Sequence, residues 1–120
     1  MNKEFRFTLD PCANDHNKKC DIYFDKNENG LIKSWKGHSV FVHPPYSRPI
    51  QALFIEKCYT EWVINNIDIV LLIPVRTDTI VFHKYIYDYC ELRFIKGRLK
   101  FSNNKNSAPF PSMICIYHKF

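Results

Sequence analysis

Three apolar runs in this chain of 120 residues break off in residues able to do chemistry: FTLDPCA at 7–13, VFVHPPYSR at 40–48 and LLIPVRTDT at 71–79. Each break carries proline, which lacks an N–H and fixes φ, so strand or helix stops there. Beyond the breaks stand a carboxylate and a thiol (Asp10, Cys12), an imidazole and a phenol (His43, Tyr46), and a guanidinium with a hydroxyl and a carboxylate (Arg76, Thr77, Asp78). Ligands of open α/β sheets gather outside the carboxyl ends of the strands. Three such ends on one rim make a site. A fourth block, RFIKGRLKF at 93–101, holds four basic residues and no acid. Read as a strand, it places Lys96, Arg98 and Lys100 on one side, as a phosphate-tracking face would.

Each feature also has a plainer reading. HPPYS can be a double-proline turn with a tyrosine at the core edge, and Asp10 a turn or helix cap. Cys12 fits better as a small packing residue than as a nucleophile. Arg76–Asp78 can be a helix start, since Thr and Asp cap well, and Lys96, Arg98 and Lys100 a solvated strand face. Trp35 and Trp62 suit a core better than a stacking platform. His16, His38, His83 and His118 show no partner pattern.

Bulk composition narrows the classes. A hydrophobic content of 46% supports one core and not two, hence a single domain over 1–120. Lys+Arg 17 against Asp+Glu 12 gives +5, compatible with a polyanionic partner. The five cysteines are spread widely with no CxxC pair, and the histidines complete no zinc pattern, so no metal is expected and the thiols read as reduced and buried. MNKEFRFTLD has no apolar signal core and no run reaches membrane-spanning length, which predicts a soluble protein that uses no membrane.

The elements that must hold the site follow from pattern. FRFTL at 5–9 alternates as a strand does, IYF at 22–24 is a short apolar piece, and SVFVH at 39–43 is an apolar run. Residues 49–65 have helical spacing at Ile50, Leu53, Phe54, Lys57 (as a stem), Tyr59 and Trp62, with Pro49 in the first turn. IDIVLLIP at 67–74 is apolar on both alternating sets, as in a central parallel strand. Residues 76–90 predict a short helix with Thr77 and Asp78 as possible N-caps. ELRFI, RLKF and SMICIY predict further strands, the last two antiparallel near the sheet edge. The order argues α/β, mainly parallel in its first half.

Over nearly its whole length the sequence resembles the phage-type DNA N-6-adenine methyltransferase (Dam-like) family. The resemblance rests on FTLDPCA, NKKC with YF at 17–24, GL and W at 30–35, VFVHPPYSR, LLIPVRTDT, FH at 82–83, and RFIKGRLKF followed by NSAPFPSMICIY. It implies a shortened, Rossmann-like, S-adenosylmethionine-dependent methyltransferase fold, a mixed sheet with antiparallel C-terminal strands. It places Asp10, Pro11, Cys12 and Ala13 in the first cofactor loop and His43, Pro44, Pro45 and Tyr46 at the catalytic D/N/S-P-P-Y. Ser47, Arg48, Arg76, Lys96, Arg98 and Lys100 are then the nucleic-acid contacts. S-adenosylmethionine is the implied cofactor and double-stranded DNA the partner, in the cytoplasm of a bacterial host with the gene carried by phage or prophage.

The chemistry required of the tetrapeptide explains its composition. The adenine amine is a poor nucleophile because its lone pair is delocalised into the ring. Hydrogen bonds from its two protons to a side-chain acceptor and to a proline-held carbonyl draw it toward tetrahedral geometry. The tyrosine ring offers a stacking face to the extruded base. His43 departs from the family's Asn, Asp or Ser. Neutral imidazole accepts one hydrogen bond and the protonated form none, which predicts weakened transfer, worse in acid. Asn29 stands where relatives tend to have an acid. Nine residues precede DPCA, where relatives carry a segment that helps enclose the cofactor. These departures sustain an alternative: an inactive or weakened relative acting as a DNA-, cofactor- or protein-binding module.

Overall fold

The computed structural model describes residues 5–12, 22–23 (backbone), 30–45, 48–99 and 110–120. Along the chain run β1 (Leu9–Asp10), β2 (Ile22–Tyr23), β3 (Val40–Val42), α1 (Arg48–Asn65), β4 (Ile69–Pro74), α2 (Ile80–Tyr85), β5 (Glu91–Phe94) and β6 (Ser112–Tyr117). They form one mixed α/β sheet in the order β2-β1-β3-β4-β6-β5. β1 is parallel to β2 and β3, and β3 to β4, whereas β6 runs antiparallel to both β4 and β5. The carboxyl ends of β1, β3, β4 and β5 therefore share one rim with the start of β6.

β4 is apolar at every position because both its faces are covered. Ile69, Leu71 and Ile73 point to the side where Phe54, Ile55 and Cys58 of α1 and Phe82 of α2 pack. Val70 lies on the other side with Ile116, under Phe5 and Phe7. Its neighbours are parallel on one flank and antiparallel on the other, so the predicted central strand is confirmed in place and mixed in pairing.

Several expectations need correction. FRFTL is ladder-paired only from Leu9. Thr8 and Leu9 both donate their N–H to the Ser39 carbonyl, while the Phe5 and Phe7 rings stack 5.8 Å apart over the sheet. The second helix is shorter than 76–90, and its cap is Thr79 rather than Thr77 or Asp78: the Thr79 hydroxyl accepts the Phe82 N–H. Residues 98–99 of RLKF are not strand, because the chain turns at Gly97 with φ 75°, a conformation glycine adopts without cost to a side chain. SMICIY, by contrast, forms β6 as expected, antiparallel and one strand in from the sheet edge.

In α1 the predicted face is rotated by about one residue. Ile50 and Leu53 are 40% and 51% exposed, and the buried line is Gln51, Phe54, Ile55, Cys58 and Glu61. Periodicity missed this line because two of its members are polar. Glu61 is buried at a cost its partners offset: it accepts the Trp35 backbone N–H and the Asn65 amide, and pairs with Lys57 at 3.4 Å. Trp35 is completely buried. Trp62 packs edge-on to Tyr89 and Phe120 and donates its indole N–H to the His118 carbonyl, a packing role for both tryptophans.

Candidate active site

Register brings the first two sequence motifs together. Leu9 is opposite Val40, and Val42 opposite Leu71. Extending these parallel registers sets Cys12 level with His43, and Pro45 level with Pro74. The electrostatics agree: the His43 backbone is near enough to the Cys12 thiol to favour its ionised form.

The 10–12 loop is closed by its own acid. Asp10 is 3% exposed and its carboxylate accepts the Cys12 N–H at 3.2 Å, an Asx-type turn. Burial first, and then the Asp10 carboxylate, push the Cys12 thiol well above its ordinary range, more than the His43 backbone lowers it. A neutral, half-buried thiol is a packing group and not a nucleophile. Cys58, Cys90 and Cys115 are likewise pushed up by burial, Cys115 to about 12. All four thiols described are free.

Gly30 seals this loop from above. A Cβ there would stand 2.3 Å from the Pro11 carbonyl oxygen and 2.7 Å from its Cβ, so only glycine permits the approach. The Trp35 indole N–H donates to the Gly30 carbonyl at 3.0 Å and holds it in place. Gly30, Trp35 and Glu61 thus form a brace behind the loop. Sequence reasoning assigned no site role to this brace; its signal was GL followed by a tryptophan at 30–35.

Pro44 is buried and Pro45 exposed beyond β3, while Ala13, Tyr46, Ser47, Asn29 and Lys100 lie outside the described residues. Arg48 opens α1 on the exposed side. Arg76 follows β4 by two residues and lines, with Arg48, a cleft of 380 Å³ between α1 and α2. Lys96 and Arg98 are exposed beyond β5, on the same rim and three strand spacings from β3, roughly 14 Å. The predicted strand face for these cations does not form; a turn carries them instead. Structure therefore groups Asp10–Cys12 with His43–Pro45, groups Arg48 with Arg76, and leaves Lys96 and Arg98 apart along the rim.

An α/β sheet with two proline-bearing loops side by side at its carboxyl rim, and cations along the remainder, has the arrangement in which open α/β sheets take ligands at their strand ends. The family described as DNA N-6-adenine-methyltransferase (Dam) matches residues 1–120. This chain belongs to that family. It is 31% identical over 101 residues to the DNA N-6-adenine-methyltransferase of Haemophilus phage HP1 (strain HP1c1), covering 83% of this chain and 57% of the relative. It is 30% identical over 95 residues to that of Escherichia phage T1, covering 78% and 39%. The chain thus aligns with about half the length of these relatives or less. Among the described residues no helix is long and apolar enough to cross a membrane.

Proposed function

We propose that this chain is a single, Rossmann-like methyltransferase domain that transfers a methyl group from S-adenosylmethionine to N6 of adenine in double-stranded DNA. Family membership and the phage relatives support the reaction class. The observation that carries the site is the parallel pairing that lays the 10–12 loop beside His43–Pro45.

The donor set suits the cofactor. Asp10 and the backbone of Pro11 and Cys12, with Ala13, would hold it, and the buried acid turn presents a fixed loop. When bound, the cofactor supplies a methyl group already activated on a sulfonium, so no metal is needed. The chain's own residues then do the positioning. The Pro44 carbonyl and the His43 imidazole accept the two amine protons, proline's fixed φ aims the carbonyl, and Tyr46 stacks on the base. Ser47, Arg48, Arg76, Lys96, Arg98 and Lys100 face the nucleic acid. The work belongs in the cytoplasm of a bacterial host, where phage DNA is present.

His43 supports a second reading, a binding module with little turnover. Transfer of labelled methyl from S-adenosylmethionine to DNA, by wild type and by His43→Asn, separates the two. Wild-type transfer that weakens in acid, with the acid limb lost in His43→Asn, is the expected result. Transfer by the variant alone favours the binding module. Silence in both, with no cofactor binding, removes both readings.

A further inference from the structure

The cleft between α1 and α2 has an apolar floor that includes Ile55, Ile73, Phe82 and Met113, and at its edge stand Arg48 and Arg76. Asp78 is the one acid among its described lining residues. Arg76 sits on a braced backbone. The Thr79 hydroxyl donates to its carbonyl at 3.0 Å, and the Val75 N–H donates to the Pro111 carbonyl at 2.9 Å. Its guanidinium lies over the Phe110 ring at 6.0 Å. Yet Arg76 Nε is shut off from solvent with no hydrogen-bond partner. Among the described residues neither guanidinium has a carboxylate at ion-pair distance.

A charged donor left unpaired at a built position calls for an acceptor. Two guanidinium groups on one cleft fit the oxygens of a phosphate, which their planar forks grip in pairs. Position narrows the source. Arg48 follows Pro45 by three residues, at most roughly 10 Å of chain, and Pro45 is level with Pro74. The cleft mouth thus adjoins the seat assigned above to the adenine.

We propose that Arg48 and Arg76 clamp a backbone phosphate of the extruded nucleotide itself, with its sugar against the apolar floor. The inference rests on the reading of residues 43–46 as the seat of that base. The clamp closes only once the nucleotide has left the stack. Arg76 then governs extrusion and turnover, whereas Lys96 and Arg98, farther along the rim, govern affinity for the duplex.

Titration of the intact protein with deoxyadenosine, its 3′- and 5′-monophosphates and inorganic phosphate, followed by NMR, tests this. One monophosphate should bind roughly tenfold more tightly than the nucleoside, the size of effect one charge-assisted hydrogen bond gives. Arg76→Met should erase the gain, Arg76→Lys restore part of it, and Lys96→Ala with Arg98→Ala leave it intact. Arg48→Met, at an exposed position, gives a second test should Arg76→Met fail to fold. Equal affinity for nucleoside and monophosphates, a gain that survives both Met variants, or inorganic phosphate binding as tightly as the nucleotide overturns the clamp. Methyl transfer without the monophosphate preference would remove the clamp and leave the proposed reaction. The preference without transfer would keep the nucleotide site and remove the reaction.

Discussion

The two halves of the carboxyl rim are built in opposite ways. At the ends of β1 and β3, backbone packs on backbone: Pro11 and Pro44 are buried, Asp10 turns its carboxylate onto its own loop, and Gly30 leaves no room for a methyl group. At the end of β4 the surface opens into a cleft lined by Arg48, Arg76 and Asp78, and beyond β5 Lys96 and Arg98 stand exposed on the same rim. A crowded rim selects by shape, since any added volume must move the main chain. An open cationic rim selects by charge and tolerates change in detail. In the function proposed above, one sheet offers a rigid seat and an electrostatic track side by side.

The largest expected effect comes from removing the brace behind the crowded half. Trp35 is wholly buried and ties Gly30 to α1 through its indole and backbone N–H groups. Trp35→Ala should cost about 3–5 kcal/mol in urea unfolding and abolish cofactor binding in the protein that remains folded. A loss under about 1 kcal/mol would mean that this half is not packed as described.

Glycine substitutions compare the halves directly. Gly30→Ala forces a methyl group into the Pro11 backbone and should cost about 1–3 kcal/mol, with a parallel fall in S-adenosylmethionine affinity. Gly97→Ala meets nothing within 4 Å but must hold φ 75°, a backbone cost of about 1–2 kcal/mol, with cofactor affinity unchanged. Cofactor affinity reduced equally in both would erase the distinction between a shape-selective and a charge-selective half.

The sequence was informative where residue type determines conformation. The double proline at 44–45, the apolar run at 69–74 and the strand–helix alternation were legible as strand ends, and the structure sets residues 10–12 beside 43–45 on one rim. It was misleading where tertiary partners decide. Gln51 and Glu61 lie on the buried line of α1, and Glu61 is kept there by a Trp35 N–H that no local pattern announces. Thr79 outcompetes Thr77 and Asp78 as cap because its hydroxyl also reaches back to the Arg76 carbonyl. KGRLK alternates perfectly as a strand, yet Gly97 turns the chain. The Gly30–Pro11 approach joins segments 19 residues apart and is visible only in three dimensions.

Charge removal on the open half should leave folding untouched and alter binding. Lys96→Ala with Arg98→Ala should flatten the dependence of log affinity for duplex DNA on log salt by up to about 2, roughly one for each phosphate no longer neutralised. Arg76→Met should change that slope little while lowering turnover. Equal slopes for wild type and the double variant would place the DNA track elsewhere on the molecule.

The smallest effect lies at the far end of β5, away from both halves. Arg93 Nε donates to the Glu91 carboxylate at 2.6 Å, and His118 Nε2 stands 2.7 Å from its other oxygen. These hydrogen bonds, Arg93 first, hold the Glu91 carboxyl below its ordinary value of 4.5. A group whose acidity is strengthened by folding binds fewer protons folded than unfolded, so its stabilisation is present above the unfolded value and is lost as pH falls through the folded one. Glu91 is exposed, with 42% of its side chain open to water, so the effect is small. Glu91→Gln should therefore lower the urea midpoint slightly at pH 7, and the gap from wild type should narrow as the solution is acidified through the carboxylate range. The salt slope for DNA and the affinity for cofactor should not move, because neither half of the rim feels this end of the strand. A gap that persists unchanged in acid would show that packing around Glu91, rather than its charge, supports β5.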